Sequence, residues 1–319
     1  MGLHWAMPVL KSLIPDTASA VLQSVHVDPN IPVKPVDTLS ILNGLTGAVM
    51  AASQIPYFYR LRRSKLRALL AKDLDIRYSA RLVDIIYEQD GNRVTAVFED
   101  GTQITGRLII GTDGARSTVR NLLLGPEIGA ADRIPYAATF IQAKYTREKA
   151  LFLRSFHPLF LASAHPDGLF AFFGLQDAPE VDKPEDWTFF FYISWNSSIA
   201  QQDEEAKTFG NKERLNQVRV LSKNYTQPWK SAFEWLPDDQ TVWYFGLAAW
   251  DPSEQQREWD NRNGRVTLAG DAAHPMTYRT FFHHPFCSLT LSPPLSPLWH
   301  TNLPLRARSR SKPLHNRRR

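Results

Sequence analysis

Leu108-Ile109-Ile110 runs directly into Gly111-Thr112-Asp113-Gly114-Ala115-Arg116-Ser117-Thr118-Val119-Arg120, and the change of character at Gly111 sets the expected architecture. The apolar run reads as a strand buried on both faces, a pattern suited to a parallel sheet. It closes a series of three strands. Val83, Ile85 and Tyr87 alternate in the first, and Val94, Ala96 and Phe98 in the second. Asp90-Gly91 and Asp100-Gly101 supply the positive-φ residues that tight hairpins need. After Gly111 the chain turns and opens a helix that Gly125-Pro126 must end. Glycines in such a turn let the backbone approach a ligand closely. The helix start offers unpaired N–H groups and a positive dipole end, both suited to phosphate. A plain strand-to-helix turn capped by Asp113 explains the same residues equally well, and this motif alone leaves both readings open.

A second turn of the same kind lies far downstream. Arg265-Val266-Thr267-Leu268-Ala269 reads as a short buried strand, followed by Gly270-Asp271-Ala272-Ala273-His274-Pro275 and an expected helix start. An Asp at this point can hold a ribose hydroxyl or cap a helix; His274 reads as structural. The two turns together are far more specific than either alone.

Between and around them the sequence alternates helical and strand patterns. Residues 1–15 read as a short helix and residues 21–59 as strands and loops. Arg60–Leu74 reads as a helix with Leu66, Leu69, Leu70 and Leu74 on one face. Ala137–Tyr145, Leu169–Leu175, Trp187–Trp195 and Thr241–Ala249 read as strands, and Asp203–Tyr225 as one helix. Phe189–Tyr192, Trp195, Trp243, Tyr244 and Trp250 either fill a core or line a pocket for a planar substrate.

Composition narrows the classes. Of 319 residues, 43% are hydrophobic and 22% charged, so a packed core is expected rather than a disordered chain. The net charge of +5 is uneven: Arg279 to Arg319 holds eight cations and no acid, so the first 278 residues carry −3. A nucleic-acid-binding body is therefore not expected. The single Cys287 allows no internal disulfide, which fits a reducing, cytoplasmic setting. Ala18-Ser19-Ala20 resembles a signal cleavage site, but no Lys or Arg precedes the short apolar stretch. No uncharged run is long enough to span a bilayer. His283, His284 and Cys287 lack four-ligand spacing, so no metal site is expected.

The paired turns resemble the DG and GD fingerprints of the group A FAD-dependent monooxygenases, the fold of para-hydroxybenzoate hydroxylase, with many fungal salicylate-hydroxylase-like members. Tyr59-Arg60-Leu61-Arg62-Arg63-Ser64-Lys65-Leu66-Arg67 resembles the helix through which that family touches FAD, with Arg63 at the matching position. Gly2-Leu3-His4-Trp5 and Leu22-Gln23-Ser24-Val25 are similar to family segments that follow the first βαβ unit. The resemblance covers roughly residues 1–278. It implies an α/β (α+β) fold, an incomplete doubly wound FAD-binding domain carrying an inserted β-rich substrate domain. Residues 1–125 are then cofactor domain lacking the first βαβ unit, with 20–58 either staying there or joining the substrate sheet. Residues 126–255 form the substrate domain, 256–278 return to the cofactor domain, and 279–319 are a disordered basic tail.

By the same resemblance, Asp271 holds the ribitol or ribose of FAD, Gly270 permits close approach, Ala272 shares that turn, and Pro275 sits near the flavin ring. Asp113 and Gly114 lie by the pyrophosphate and influence NAD(P)H binding. The implied chemistry takes NAD(P)H as co-substrate and O2, and hydroxylates an aromatic or polyketide-like small molecule. No motif names a catalytic residue, although His157 and Tyr225 are candidates for a base. The family's Gly-x-Gly-x-x-Gly is missing, and after Met276 the sequence stops resembling the family. Truncation at both ends, weak or absent FAD binding and impaired activity are therefore expected, the alternatives being a catalytically inactive fragment or a non-hydroxylating flavin reductase of the same fold, with the tail arising from a frameshift or retained intron.

Overall fold

The structure, a computed structural model, describes residues 1–88, 91–254 and 257–277. The chain opens with β1 (Gly2–Leu3), α1 (Met7–Leu13), α2 (Asp16–Ala20) and a 3-10 turn at Leu22–Val25. The hairpin β2 (Val36–Asn43) and β3 (Val49–Pro56) leads to β4 (Tyr59–Arg60) and α3 (Arg63–Ala71). Then come β5 (Leu82–Tyr87), β6 (Val94–Phe98), β7 (Gln103–Gly106), β8 (Ile109–Gly111), α4 (Thr118–Leu124) and α5 (Pro126–Gly129). The middle of the chain supplies β9 (Asp132–Ala143), α6 (Arg147–Ser155), β10 (Phe160–Ala164), β11 (Phe170–Asp177) and β12 (Thr188–Asn196). Helices α7 (Ile199–Thr208), α8 (Asn211–Leu221) and α9 (Trp229–Glu234) precede β13 (Val242–Ala249) and β14 (Val266–Leu268).

The largest sheet has seven strands in the order β13-β9-β12-β11-β10-β2-β3. Its strands pair antiparallel except β10 with β2. The strand period of two divides its side chains cleanly. Phe189, Phe191, Ile193 and Trp195 of β12, with Ala171, Phe173 and Leu175 of β11, enter a core closed by Leu153, Leu215, Val218, Trp229 and Phe233 from the helices. Each such ring or branched side chain, once buried, contributes about 1.5–3 kcal/mol. The alternate residues Phe170, Phe172, Phe190 and Tyr192, joined by Phe140, form a second aromatic cluster on the opposite face. The aromatics of this region therefore fall on both faces of the sheet, one face sealed by helices and the other half-buried.

Three smaller sheets accompany it among the described residues, one of them the antiparallel pair of β1 with β4. β5, β6 and β7 form an antiparallel meander, in which Gly101 takes φ 83 at one turn. Asp90 of the other turn lies outside the described residues. β14 pairs in parallel with β8. Ile85, Val94, Val119, Val266 and Leu268 make the core there. Met7, Leu22, Val25, Leu61 and Leu66 make a third core around α1 and α3.

Several expectations change. Leu108–Ile110 neither continues the third strand nor is buried on both faces. β7 stops at Gly106, β8 belongs to a different sheet, and Leu108 and Ile110 are exposed. α4 packs on β8 through Val119 against Gly111, and alternation leaves Ile110 facing out. Asp203–Tyr225 is two helices. Phe209 is extended, and the Glu213 carboxylate accepts from the Gly210 N–H at 2.9 Å, so a new helix starts there. Arg60 belongs to a strand, because its backbone is held by β1 and by His26, and the helix begins at Arg63. The expected basic tail and the His283, His284 and Cys287 group lie outside the described residues. No helix among the described residues is long and apolar enough to cross a membrane.

Candidate cofactor site

The parallel pairing of β8 with β14 sets Val266 beside Ile109 and Leu268 beside Gly111. Parallel strands end at the same edge, so both Gly-Asp turns leave the sheet side by side. Crevices at such strand ends are the usual ligand sites of parallel α/β sheets. The Ala269 N–H donates to Gly111 O at 2.9 Å and continues the ladder into the turns. Gly111 is packed so closely that a Cβ would lie 2.7 Å from Val119 Cβ.

Arg120 bolts the two turns together. Its Nη1 donates to Ala272 O at 2.8 Å and lies 3.4 Å from Asp271 O; Nη2 reaches Ala115 O at 2.6 Å and Nε reaches Gly129 O at 2.7 Å. The guanidinium lies 5.0 Å from the Trp250 ring centroid. Trp250 in turn donates from Nε1 to Ile128 O at 2.8 Å and from its N–H to Pro275 O at 3.1 Å. Carbonyl oxygens thus surround this buried cation on several sides and offset its desolvation. Neither Arg120 nor Trp250 has a role readable from local sequence, since their partners are distant in the chain.

Asp113 is occupied. Its carboxylate accepts from Ser117 Oγ at 2.5 Å, Thr118 N–H at 2.6 Å and Val119 N–H at 3.1 Å. Ser117 Oγ accepts from Arg120 N–H at 2.9 Å. These groups cap α4, so its first amides are not free for a phosphate as the motif suggested. Gly114 and Gly270 have φ 85 and 60, values that L side chains rarely adopt, and the Cβ direction at each is open. Asp271 is exposed, and its carboxylate has no partner among the described residues; Ala272 and Pro275 are buried beneath it. A 3-10 turn at Gly270–Ala272 stands at the expected helix start, and residues from 278 onward lie outside the described set. Arg63 is exposed at the start of α3, while Arg62 and Lys65 pair with Asp177 of β11. Of the candidate bases, His157 Nδ1 accepts from Leu159 and Phe160 N–H, burial lowers its pKa, and Tyr225 is buried against His165.

The FAD binding domain family matches residues 50–278, a span that includes both turns. The chain belongs to that family, within the group A flavin monooxygenases. It is 36% identical over 278 residues to the FAD-dependent monooxygenase cctM of Talaromyces islandicus, covering 87% of this chain and 66% of the relative. It is 33% identical to the FAD-dependent monooxygenase phnB of Penicillium herquei, covering 86% of this chain and 66% of the relative. The chain thus spans just under two thirds of the length of these two relatives. In fold it is similar to 2,6-dihydroxypyridine-3-hydroxylase of Arthrobacter nicotinovorans (TM-score 0.61, 18% identity, 86% of this chain and 67% of that one). It is also similar to Klebsiella pneumoniae HpxO complexed with FAD and uric acid (TM-score 0.54, 17% identity, 76% and 58%).

FAD is the cofactor of this family, and the residues fit part of it. Two open glycines permit close backbone approach, and the carboxylate of Asp271, unpartnered among the described residues, suits a sugar hydroxyl.

Proposed function

We propose that this chain carries the cofactor crevice and substrate sheet of an FAD-dependent monooxygenase acting on an aromatic or polyketide-like small molecule. The reading rests on one observation: the turns at Asp113 and Asp271 leave one parallel strand pair side by side, joined by Arg120. Gly270 and Asp271 would hold the ribitol or ribose of FAD, with Ala272 and Pro275 supporting that turn. Gly114 would lie near the pyrophosphate, with Asp113 acting through the cap that shapes the loop. Arg63, exposed and unpaired among the described residues, would meet the cofactor from α3. When bound, FAD supplies the electron transfer and oxygen activation; the chain's own residues bind, orient and exclude water. The overall balance consumes NAD(P)H, a proton and O2, inserts one oxygen atom into a substrate C–H bond and releases the other as water. The seven-stranded sheet would present its open aromatic face to the substrate.

The test is direct. Purified chain titrated with FAD should bind flavin, though weakly, and the NADPH oxidation and O2 uptake it supports should be accompanied by hydroxylated product. Flavin-dependent NADPH oxidation without product would identify a reductase instead. A folded chain that never binds flavin would overturn the reading.

A further inference from the structure

β13 is an edge strand of the seven-stranded sheet, and its last paired residue, Ala249 opposite Asp132, is followed at once by Trp250. Phe245 of the same strand packs edge-on against Phe140 of the half-buried aromatic face, with ring centroids 5.6 Å apart. One strand thus touches that face and delivers Trp250 to the Gly-Asp turn. There Trp250 is 1% exposed. Its N–H donates to Pro275 O at 3.1 Å and its indole Nε1 to Ile128 O at 2.8 Å, so main chain and side chain are both fixed.

Two guanidinium groups meet the buried ring. The Arg120 carbon lies 5.0 Å from its centroid and the Arg257 carbon 5.4 Å. Their other partners differ. Arg120 donates to the carbonyls of Ala115, Gly129 and Ala272, all in or beside the two turns. Arg257 pairs with Asp132, where β9 starts, and with Glu254 at 3.0 Å. A cation tied to the turns and a cation tied to the sheet therefore share one ring. Like charges at one ring repel each other, and the negative ring face offsets part of that cost. The turn itself is lightly bonded: the Ala273 and His274 N–H groups both donate to Gly270 O, at 2.9 and 3.0 Å. A segment with so few bonds of its own opens locally unless its neighbours hold it.

We infer that Trp250 is a positioning residue for the cofactor. Through Arg120 and Pro275 it fixes the turn at 270–275, and through Arg257 it sets that turn against the end of the large sheet. The inference rests on the monooxygenase reading for the identity of the ligand that the turn holds, FAD. Trp250 acts only through these neighbours.

Hydrogen exchange on the full chain tests this, read on residues 269–274 with β11 and β12 as the reference. In Trp250→Leu the turn should speed up about tenfold more than the reference, from the loss of two cation–π contacts and one hydrogen bond. Trp250→Phe keeps a ring at the guanidinium groups, so the excess should fall to about threefold. Arg257→Gln should also speed the turn by about threefold, although Arg257 makes no hydrogen bond to it among the described residues. FAD titration by flavin fluorescence should show affinity falling in the same order.

Equal acceleration of turn and reference in Trp250→Leu overturns the inference, because Trp250 would then only stabilise the fold as a whole. A loosened turn with unchanged FAD affinity overturns it too. If Trp250→Leu does not fold, Arg257→Gln decides: a faster turn with unchanged Tm supports the inference, and a turn exchanging as in the wild type overturns it. Flavin binding that ignores Trp250, with the turn unmoved, sinks this inference alone. A turn that loosens as expected in a chain that never binds flavin sinks the monooxygenase reading alone.

Discussion

Arg120 Nη1 lies 2.8 Å from the carbonyl oxygen of Ala272, a residue 152 positions away. Through that contact and those to Ala115 and Gly129, one buried guanidinium holds two turns in register. Arg120→Met should leave three carbonyl oxygens without this donor and cost about 3 kcal/mol or more. Equilibrium urea unfolding reads it, and an unchanged midpoint would show that the turns are held by something else.

Asp113 acts first on the α4 terminus. Asp113→Ala should cost about 1–2 kcal/mol as a lost cap, and Asp113→Asn should recover most of it. The same unfolding measurement on both variants distinguishes a cap from a surface charge, for which neither change would matter.

Asp271 behaves in the opposite way, because its carboxylate supports nothing among the described residues. Asp271→Asn should change stability by no more than about 0.5 kcal/mol. It should weaken FAD binding by about tenfold, the loss expected for a charge-assisted hydrogen bond to a sugar hydroxyl. Flavin fluorescence titration checks this, and unchanged affinity would remove Asp271 from the site.

His26 should make the protein acid-sensitive. Its Nε2 accepts from the Arg60 N–H at 3.2 Å and Nδ1 faces Asp28 O at 2.8 Å, an arrangement that needs the neutral ring with its proton on Nδ1. Burial is the largest influence and lowers its pKa below the ordinary 6.5, with Arg60 acting in the same direction and Asp28 against it. The unfolded chain therefore takes up the proton more readily. The stability linked to His26 is complete above pH 6.5 and is lost as pH falls through the folded value. His26→Gln should flatten the acid limb of a stability–pH curve below about pH 6.5. An unaltered acid limb would show that the ring does not titrate with unfolding.

Much of the site was legible because turn chemistry is local. Gly111–Gly114 and Gly270–Asp271 announce strand-ending turns without reference to anything distant. The split of the aromatics was legible as far as strand alternation goes, since Phe189 and Phe190 must face opposite ways. Which of those faces helices would seal was not, because the covering residues arrive from α6, α8 and α9. Leu108–Ile110 misled because a short apolar run has no period by which to tell one covered face from two. Arg60 was absorbed into a helical pattern because its strand partners, Gly2 and His26, lie far upstream.

The order of residues along the chain, through turn, strand and helix preferences that act over a few positions, was enough to determine the two Gly-Asp turns, the strand-rich middle and the family they announce. Tertiary structure alone decided that Arg120 would join the turns, that Asp113 would spend its carboxylate on a helix end, and that Arg60 would lie over the Phe172 ring. Those outcomes depend on burial and on partners brought together from distant parts of the chain, and neither is encoded in any short stretch.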